Sequence, residues 1–270
     1  MRTYLLKTVV ASICMLSFTV CTPVLAGSKD TTTIRANVGY IKPSDLPVGD
    51  KSVNQIRYKA LRDSATTLGA NGALAWRSAQ INQSLEKEKT HLNSVFDFNQ
   101  LIINHNVLPP VYAESNNNIK LDNDNTIRFN DKTYVKISPE RFVTTPPTWR
   151  DYLYMNYDKP TLPDNSLLPT TQAEANIWNR YIAIGWQQGL QQANNIFETN
   201  LDTMKRDFLG MVLYKKLLAQ NIVSAPYVAK ADLGVTGNKN ELHINDQVMR
   251  ITGHSELQTN SNNWTPVFTH

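Results

Sequence analysis

Residues 170–221 read TTQAEANIWNRYIAIGWQQGLQQANNIFETNLDTMKRDFLGMVLYKKLLAQN. The stretch contains no proline and places Thr171 three residues before Glu174, the spacing of a capping box that satisfies backbone donors at a helix start. Apolar side chains then recur every three or four residues and form one stripe along a helix, namely Leu190, Ala193, Phe197, Leu201, Met204, Phe208 and Met211. Lys215 and Lys216 follow near the end, where cations favour the helix dipole. The stretch therefore predicts a long helical segment.

The length of this segment constrains the fold. About 50 residues at about 1.5 Å each would span roughly 75 Å, whereas a compact domain of this size has a radius of gyration of about 18 Å. We therefore expect the segment either to break into two antiparallel pieces or to project beyond the body. Gly185, Gly189 and Gly210 are the expected weak points, each costing about 1 kcal/mol against alanine. Alternatively, Gly185-x-x-x-Gly189 allows another helix to approach closely.

A second helical pattern covers residues 53–98. Its apolar face is interrupted by Gly69 and Gly72 and then continues. The pattern predicts two helices, or one helix that is bent at these glycines.

Two later segments have the alternation of β-hairpins. Residues 126–137 alternate on either side of Asn130-Asp131, and residues 241–251 alternate on either side of Asn245-Asp246. We expect these hairpins to pair into one small sheet. The predicted fold class is α+β and mainly α-helical, with long amphipathic helices packed with two short β-hairpins in a single domain over residues 52–270.

The first 26 residues have the features of an export signal. Arg2 and Lys7 precede a short apolar region, and Val24-Leu25-Ala26 is a small-residue cleavage site before Gly27. A lipoprotein reading competes with this one, because Cys21 ends the apolar region where a lipidated cysteine would lie, although a small residue does not precede it. Both cleavage sites stay open. Residues 27–51 are polar and aperiodic, which predicts a flexible tether.

Charge and composition argue against nucleic-acid binding and against a membrane-spanning helix after the signal. The formal net charge of +4 falls to +2 once Arg2 and Lys7 leave with the signal, and no basic run remains. A near-neutral chain of this kind gives no reason to expect specific nucleic-acid binding. After the signal, no apolar run reaches the length of a transmembrane helix.

The sequence contains no motif that is typical of a catalytic site. The five histidines are scattered and lack metal-ligand spacing. Asp122-x-Asp124 lacks the buried strand of a phosphatase nucleophile, and it lacks the glycine and glutamate of a calcium loop. We therefore predict no enzyme activity, no catalytic residues, no cofactor and no metal.

Residues typical of protein interfaces occur in two clusters. Trp149, Arg150, Tyr152 and Tyr154 form the first, and Trp178, Gly185, Trp186 and Gly189 form the second. Because Trp, Tyr and Arg are enriched at binding hot spots, we take these residues as a candidate partner interface. The alternative is that the aromatic side chains fill the core between helices and hairpins.

Several blocks of the chain together resemble the DotC family of type IVB secretion systems, which includes the TraI component of IncI-type plasmid conjugation. The resemblance covers residues 52–255 and is carried by LRDSATTLGA at 61–70, LAWR at 74–77, NVLPPV at 106–111, PPTWRDYL at 146–153, WQQG at 186–189, MKRD at 204–207, LLAQN at 217–221, PYV at 226–228 and DLGVTG at 232–237.

The resemblance implies a structural role on the periplasmic side of the bacterial outer membrane. Such a subunit would contact the inner leaflet, a DotD-like lipoprotein and a DotH-like channel component, within a multi-subunit ring that serves conjugal transfer. It implies neither a cofactor nor specific contact with nucleic acid. Two other functions stay open, a periplasmic chaperone of a channel subunit and a cell-wall hydrolase.

Overall fold

A computed structural model describes residues 53–123 and 125–265 of the chain. The predicted signal segment with Cys21, Ala26 and Gly27, and the predicted tether, lie outside these residues. The helices are α1 (Gln55–Lys87), α2 (Lys89–Val95), α3 (Trp149–Leu153) and α4 (Gln172–Ala219). The strands are β1 (Val107–Leu108), β2 (Val111–Asn123), β3 (Thr126–Ser138), β4 (Arg141–Phe142), β5 (Tyr227–Gly237) and β6 (Leu242–Gly253).

The chain divides into two compact units. Among the described residues, one unit comprises residues 53–95 together with Leu153–Thr199, and the other comprises Phe96–Tyr152 together with residues 200–265. Helix α4 contributes residues 172–199 to the first unit and residues 200–219 to the second. The single domain predicted for residues 52–270 stays a prediction.

Helix α4 is continuous over 48 residues. The expected break into two antiparallel pieces is therefore wrong, and each of the three glycines instead lies against a neighbouring element. One bond of the predicted capping box is present, since the Thr171 hydroxyl accepts from the Glu174 backbone N–H at 3.3 Å. The Glu174 carboxylate accepts from the Thr170 backbone N–H at 2.8 Å, one residue before the donor that a capping box uses.

Helix α1 is continuous over 33 residues and passes through Gly69 and Gly72 without interruption. Two helices do cover the predicted range, but the boundary between them lies at Glu88, not at the glycines. The Asn54 side chain caps α1 by accepting from the Ile56 backbone N–H at 2.9 Å, which is the usual way to satisfy a free donor at a helix start.

In the first unit, α1 and the beginning of α4 run in the same direction. Arg57 contacts Glu174 and Arg77 contacts Asn194, and both pairs are 117 residues apart in the sequence. A constant separation is the signature of parallel helices, because the two residue numbers then rise together along the contact. The 20 residues between the two contacts correspond to about 30 Å of helix.

In the second unit, residues from the later part of α4 form the core with the beginning of β2. Tyr112 stacks on Tyr214 with ring centroids 6.2 Å apart, and both pack with Leu217 and Val223. Gly210 lies where a Cβ atom would be only 2.7 Å from the Tyr112 carbonyl oxygen. The absent side chain therefore lets β2 pack directly on the helix backbone.

The two hairpins form, but with strand partners and turns that differ from the prediction. Strand β2 pairs with β3 around a turn between Asn123 and Thr126, so Asn130-Asp131 lies within a strand. Strand β5 pairs with β6 around a turn between Gly237 and Leu242, so Asn245-Asp246 also lies within a strand. Among the described residues the sheets are three separate antiparallel pairs, and the expected joint sheet of the two hairpins is wrong.

The predicted fold class is confirmed: the protein is α+β and mainly helical, with long helices and short two-stranded antiparallel sheets. No helix in the described part of the chain combines the length and the apolar character that membrane crossing requires.

Candidate partner interface

The glycines of the second predicted cluster lie in a tight contact between α1 and α4. A Cβ atom on Gly185 would overlap the carbonyl oxygen of Thr66, and one on Gly189 would overlap the carbonyl oxygen of Ala70. Gly69 faces the backbone of Ile182 in the same way. The expectation that Gly185-x-x-x-Gly189 allows close helix approach is thus confirmed, but the approaching helix belongs to the same chain.

The tryptophans of that cluster also serve the helix pair. Trp178 is 7% exposed and packs with Leu61, Ala65 and Ile182. Trp186 is half-buried, and its ring centroid lies 5.8 Å from that of Trp76, whose side chain is exposed. Trp186 and Trp76 therefore leave part of an aromatic surface open to solvent, whereas Trp178 does not.

An ion pair fastens the start of the same helix pair. The Arg57 Nε atom lies 3.0 Å from Glu174 Oε1, and the carboxylate is only 10% exposed. The hydrogen bond from Arg57, followed by the one from the Thr170 backbone, lowers the pKa of Glu174 to about 2. The carboxylate therefore stays ionised through the physiological range and holds the two helix N-termini together.

The first predicted cluster, residues 149–154, divides between core and surface. Trp149 is 1% exposed, and the Arg150 guanidinium lies 4.2 Å from its ring centroid. Tyr152 stacks on Phe98 at 5.6 Å and donates to Asp207 at 3.2 Å. Burial, reinforced by the Asp207 charge, raises the pKa of Tyr152 to about 12. The alternative reading of these aromatic side chains, as core, fits the placement of Trp149.

Tyr154 is the exposed member of the 149–154 segment. Its ring is 37% exposed, and its hydroxyl donates to the Glu86 carboxylate. Of the eight predicted interface residues, Trp149, Trp178, Gly185 and Gly189 are buried within the chain, and Arg150, Tyr152, Tyr154 and Trp186 reach the surface to some extent. Only these four can contact a partner directly.

The hairpin of β2 and β3 carries an exposed apolar surface that the sequence reasoning missed. Ile119 pairs with Phe129 and Leu121 pairs with Ile127 across the two strands. Residues directly opposite one another share a sheet face, so these four side chains form one group. We call it tip patch 1. Its members are between 53% and 70% exposed.

The hairpin of β5 and β6 carries a second group of the same design. Val235 pairs with Ile244, and Leu242 pairs with Gly237 at the next position on the same face. Val235, Leu242 and Ile244, which we call tip patch 2, are between 64% and 70% exposed. Apolar side chains clustered at this level of exposure on a monomer mark sites of interaction.

One buried carboxylate ties the bases of the two hairpins together. Glu140, just after β3, accepts from the Ser255 backbone N–H at 2.7 Å and contacts His254 Nδ1 at 2.9 Å, just after β6. Lys136 of β3 donates to the Ser255 carbonyl. Burial alone would raise the pKa of Glu140, but hydrogen bonds from its own backbone, Ser255 and His254 lower it. The carboxylate is thus a fixed acceptor that joins the two hairpins.

The sequence did contain a signal for the first hairpin turn. Asp122-Asn123-Asp124-Asn125 is a run of four turn-forming residues, and the observed turn between Asn123 and Thr126 falls on this run. The second turn has the comparable run Asn238-Lys239-Asn240.

The arrangement is suited to binding. Within residues 53–123 and 125–265, no group of His, Cys, Asp or Glu side chains converges to hold a metal ion. The expectation that the protein needs no metal and performs no catalysis stays an expectation. The features described define a protein with a tightly packed helix pair and two long hairpins that expose apolar groups.

The comparison with protein families identifies the chain. A family model described as type IV secretory system, conjugal DNA–protein transfer, matches residues 55–266. The match covers most of the chain, so the protein belongs to this TraI family of type IV secretion systems. This confirms the family-level expectation drawn from the sequence blocks. No curated protein matches the chain.

Proposed function

We propose that the protein is a structural, non-enzymatic subunit of the type IVB core complex, exported and held at the periplasmic side of the outer membrane. There it would help to place a DotH-like channel component for conjugal transfer, together with a DotD-like lipoprotein. Membership of the type IV secretion family supports a place in a multi-subunit assembly. The resemblance to DotC supports the outer-membrane position.

The observation that carries this proposal is the pair of exposed tip patches on hairpins joined at their bases. An isolated chain gains nothing from holding seven apolar side chains in water, whereas a subunit that buries them against neighbours gains about 25 cal/mol for each Å² covered. A channel subunit needs such surfaces, and an enzyme would instead need converging polar groups in a cleft.

The test is an affinity purification in mild detergent from cells that express the whole transfer system. Mass spectrometry of the co-purifying proteins should identify outer-membrane channel subunits, and the mass of the N-terminus should distinguish a chain that starts at Cys21 from one that starts at Gly27. Recovery of the protein alone, in a soluble fraction, would contradict the proposal.

A chaperone for a channel component is the second candidate, because exposed apolar patches also suit transient binding. The two functions differ in the finished complex. A structural subunit should remain at constant stoichiometry with the channel proteins after gradient sedimentation, and a chaperone should be lost from that fraction.

A further inference from the structure

Both hairpins are exposed over most of their length. Strands β2 and β3 have 13 residues each, or about 43 Å at about 3.3 Å per residue. Between positions 114 and 132, every side chain that the structure describes is exposed except the half-buried Asn118. A two-stranded hairpin is marginal alone and normally needs a second layer on its apolar face.

The tip patches have matching designs. Each is built from apolar residues in cross-strand positions close to the turn, and each occupies one face. On the opposite face of the first hairpin, Asn118 pairs with Asn130 and Lys120 pairs with Arg128. Each patch can therefore pack on a second apolar face while its polar face stays in water.

The combined size of the patches fits a small protein interface. Burying one aliphatic or Phe side chain removes on the order of 100 Å² from water. Tip patches 1 and 2 together have seven such side chains, each between 53% and 70% exposed, which leaves roughly 350–500 Å² of apolar surface to cover. Because about 57% of a typical interface is non-polar, this corresponds to roughly 600–900 Å² in total, the size of a small and weak interface.

A lipid surface suits the patches less well than a protein does. A two-stranded hairpin has two open edges, whose backbone N–H and C=O groups would lose their hydrogen bonds to water within lipid. A protein partner that covers only the apolar face leaves these edges in water and avoids this cost.

We propose that the partner is a second copy of this chain, with tip patch 1 of one copy packed on tip patch 2 of the next. The two patches stay exposed within one chain, so neither covers the other. A second copy supplies a face of the required kind for each, as in a two-layer sheet packing. Such a contact is heterologous, so it leaves one patch free at each end and propagates into a ring or a filament.

The experiment uses the purified full chain and two variants. Phe129→Asp disrupts tip patch 1, and Ile244→Asp disrupts tip patch 2. Sedimentation velocity from about 1 to about 100 µM covers the weak affinities expected of a small interface. The wild type should form species larger than a dimer, and each variant alone should be monomeric, with association weakened about tenfold or more.

The decisive measurement is an equimolar mixture of the two variants. Each still carries the patch that the other lacks, so the mixture should form 1:1 dimers that grow no further. Asn130→Asp is the matched control, because it adds the same charge to the polar face of β3 and should associate like the wild type. Circular dichroism should show that all variants are folded.

Several results would overturn the proposal. A wild-type protein that stays monomeric up to about 100 µM would contradict self-association. If that monomer floated with phosphatidylethanolamine–phosphatidylglycerol vesicles, the patches would be assigned to lipid binding. Self-association of both single variants would place the contact elsewhere on the chain. A mixture that stays monomeric while the wild type assembles would exclude the packing of patch 1 on patch 2. These experiments use only the purified chain, whereas the proposed function is tested by purification from cells with the whole transfer system. The two tests can therefore fail separately.

Discussion

Gly189→Ala provides a sharp test of the helix contact, because a second glycine offers a matched control. Both Gly189 and Gly72 lie inside long helices, where alanine is favoured over glycine by about 1 kcal/mol. A Cβ atom on Gly189 would overlap the Ala70 carbonyl oxygen and lie 2.8 Å from the Ala73 Cβ atom. A Cβ atom on Gly72 would lie 3.5 Å from the Trp186 ring, an ordinary van der Waals contact.

The expected magnitudes follow from this difference. Overpacking costs about 1–3 kcal/mol, and Gly189 belongs at the upper end because the obstructing carbonyl is part of a helix backbone. After the gain in helix propensity, Gly189→Ala should destabilise the protein by about 1–2 kcal/mol. Gly72→Ala should be neutral or should stabilise by up to about 1 kcal/mol.

Thermal unfolding followed by circular dichroism measures both effects. At about 2–4 °C per kcal/mol for a chain of this size, Tm should fall by about 2–8 °C in Gly189→Ala and should stay level or rise slightly in Gly72→Ala. Gly185→Ala should behave like Gly189→Ala, since it meets the Thr66 carbonyl. Equal Tm values for Gly189→Ala and Gly72→Ala would refute the close parallel contact of α1 and α4.

Three further predictions concern single side chains. Because the folded pKa of Glu174 is about 2, below its ordinary value of 4.5, the stability it contributes is complete above pH 4.5 and is lost as the pH falls toward 2. Urea midpoints of Glu174→Gln should therefore depend less on pH in this window, and an unchanged dependence would contradict the ion pair with Arg57. Glu140→Ala should lower the free energy of unfolding by about 1–3 kcal/mol, because it leaves the buried Ser255 N–H without an acceptor. Amide hydrogen exchange at Ser255 should become faster in this variant. Glu140→Gln keeps an acceptor oxygen and should therefore lose less stability. Trp149→Ala should lower the stability measured by thermal unfolding by about 3–5 kcal/mol, because the ring is 1% exposed. Tyr154 is exposed, so Tyr154→Ala should cost about 1 kcal/mol or less. Similar losses in both variants would contradict the assignment of Trp149 to the core.

The helices could be predicted from the sequence because their stripe is long. The apolar residues of α4 recur over several turns, and the Thr171–Glu174 box fixes its start, so no tertiary knowledge was needed. The continuity of α4 could not be predicted. A glycine weakens an isolated helix, but at Gly185 and Gly189 it permits contacts with α1 that a Cβ atom would prevent, and only the folded chain shows which effect prevails.

The hairpin turns were misplaced because period-two alternation does not locate a turn. A 13-residue strand and a short hairpin both alternate, so Asn130-Asp131 and Asn245-Asp246 were taken as turns. The second signal was partly correct, since Asn245 has a positive φ of 58°. In the structure this residue lies at an irregularity in the register of β6 and not in a turn. Asparagine tolerates a positive φ better than most residues do.

The interface prediction was limited by a property of the aromatic residues themselves. Trp and Tyr are enriched both in cores and at binding hot spots, so sequence could not separate Trp149, which is buried, from Tyr154, which is exposed. Tip patches 1 and 2 escaped notice because their aliphatic residues resemble the core side of any strand. Their significance comes from exposure, which depends on the length of hairpin that nothing in the described chain covers.

Substitutions in the helix contact should therefore change the stability of the protein, and substitutions in the tip patches should change its association. The glycine contact buries its small residues within the chain, so substitutions there should alter unfolding while a folded variant keeps its capacity to associate. The tip patches contribute little burial within one chain, so Phe129→Asp and Ile244→Asp should alter association while Tm stays close to that of the wild type. A loss of Tm in the patch variants comparable to that of Gly189→Ala would show that the hairpins support the fold, and the argument that they serve a partner would then fail.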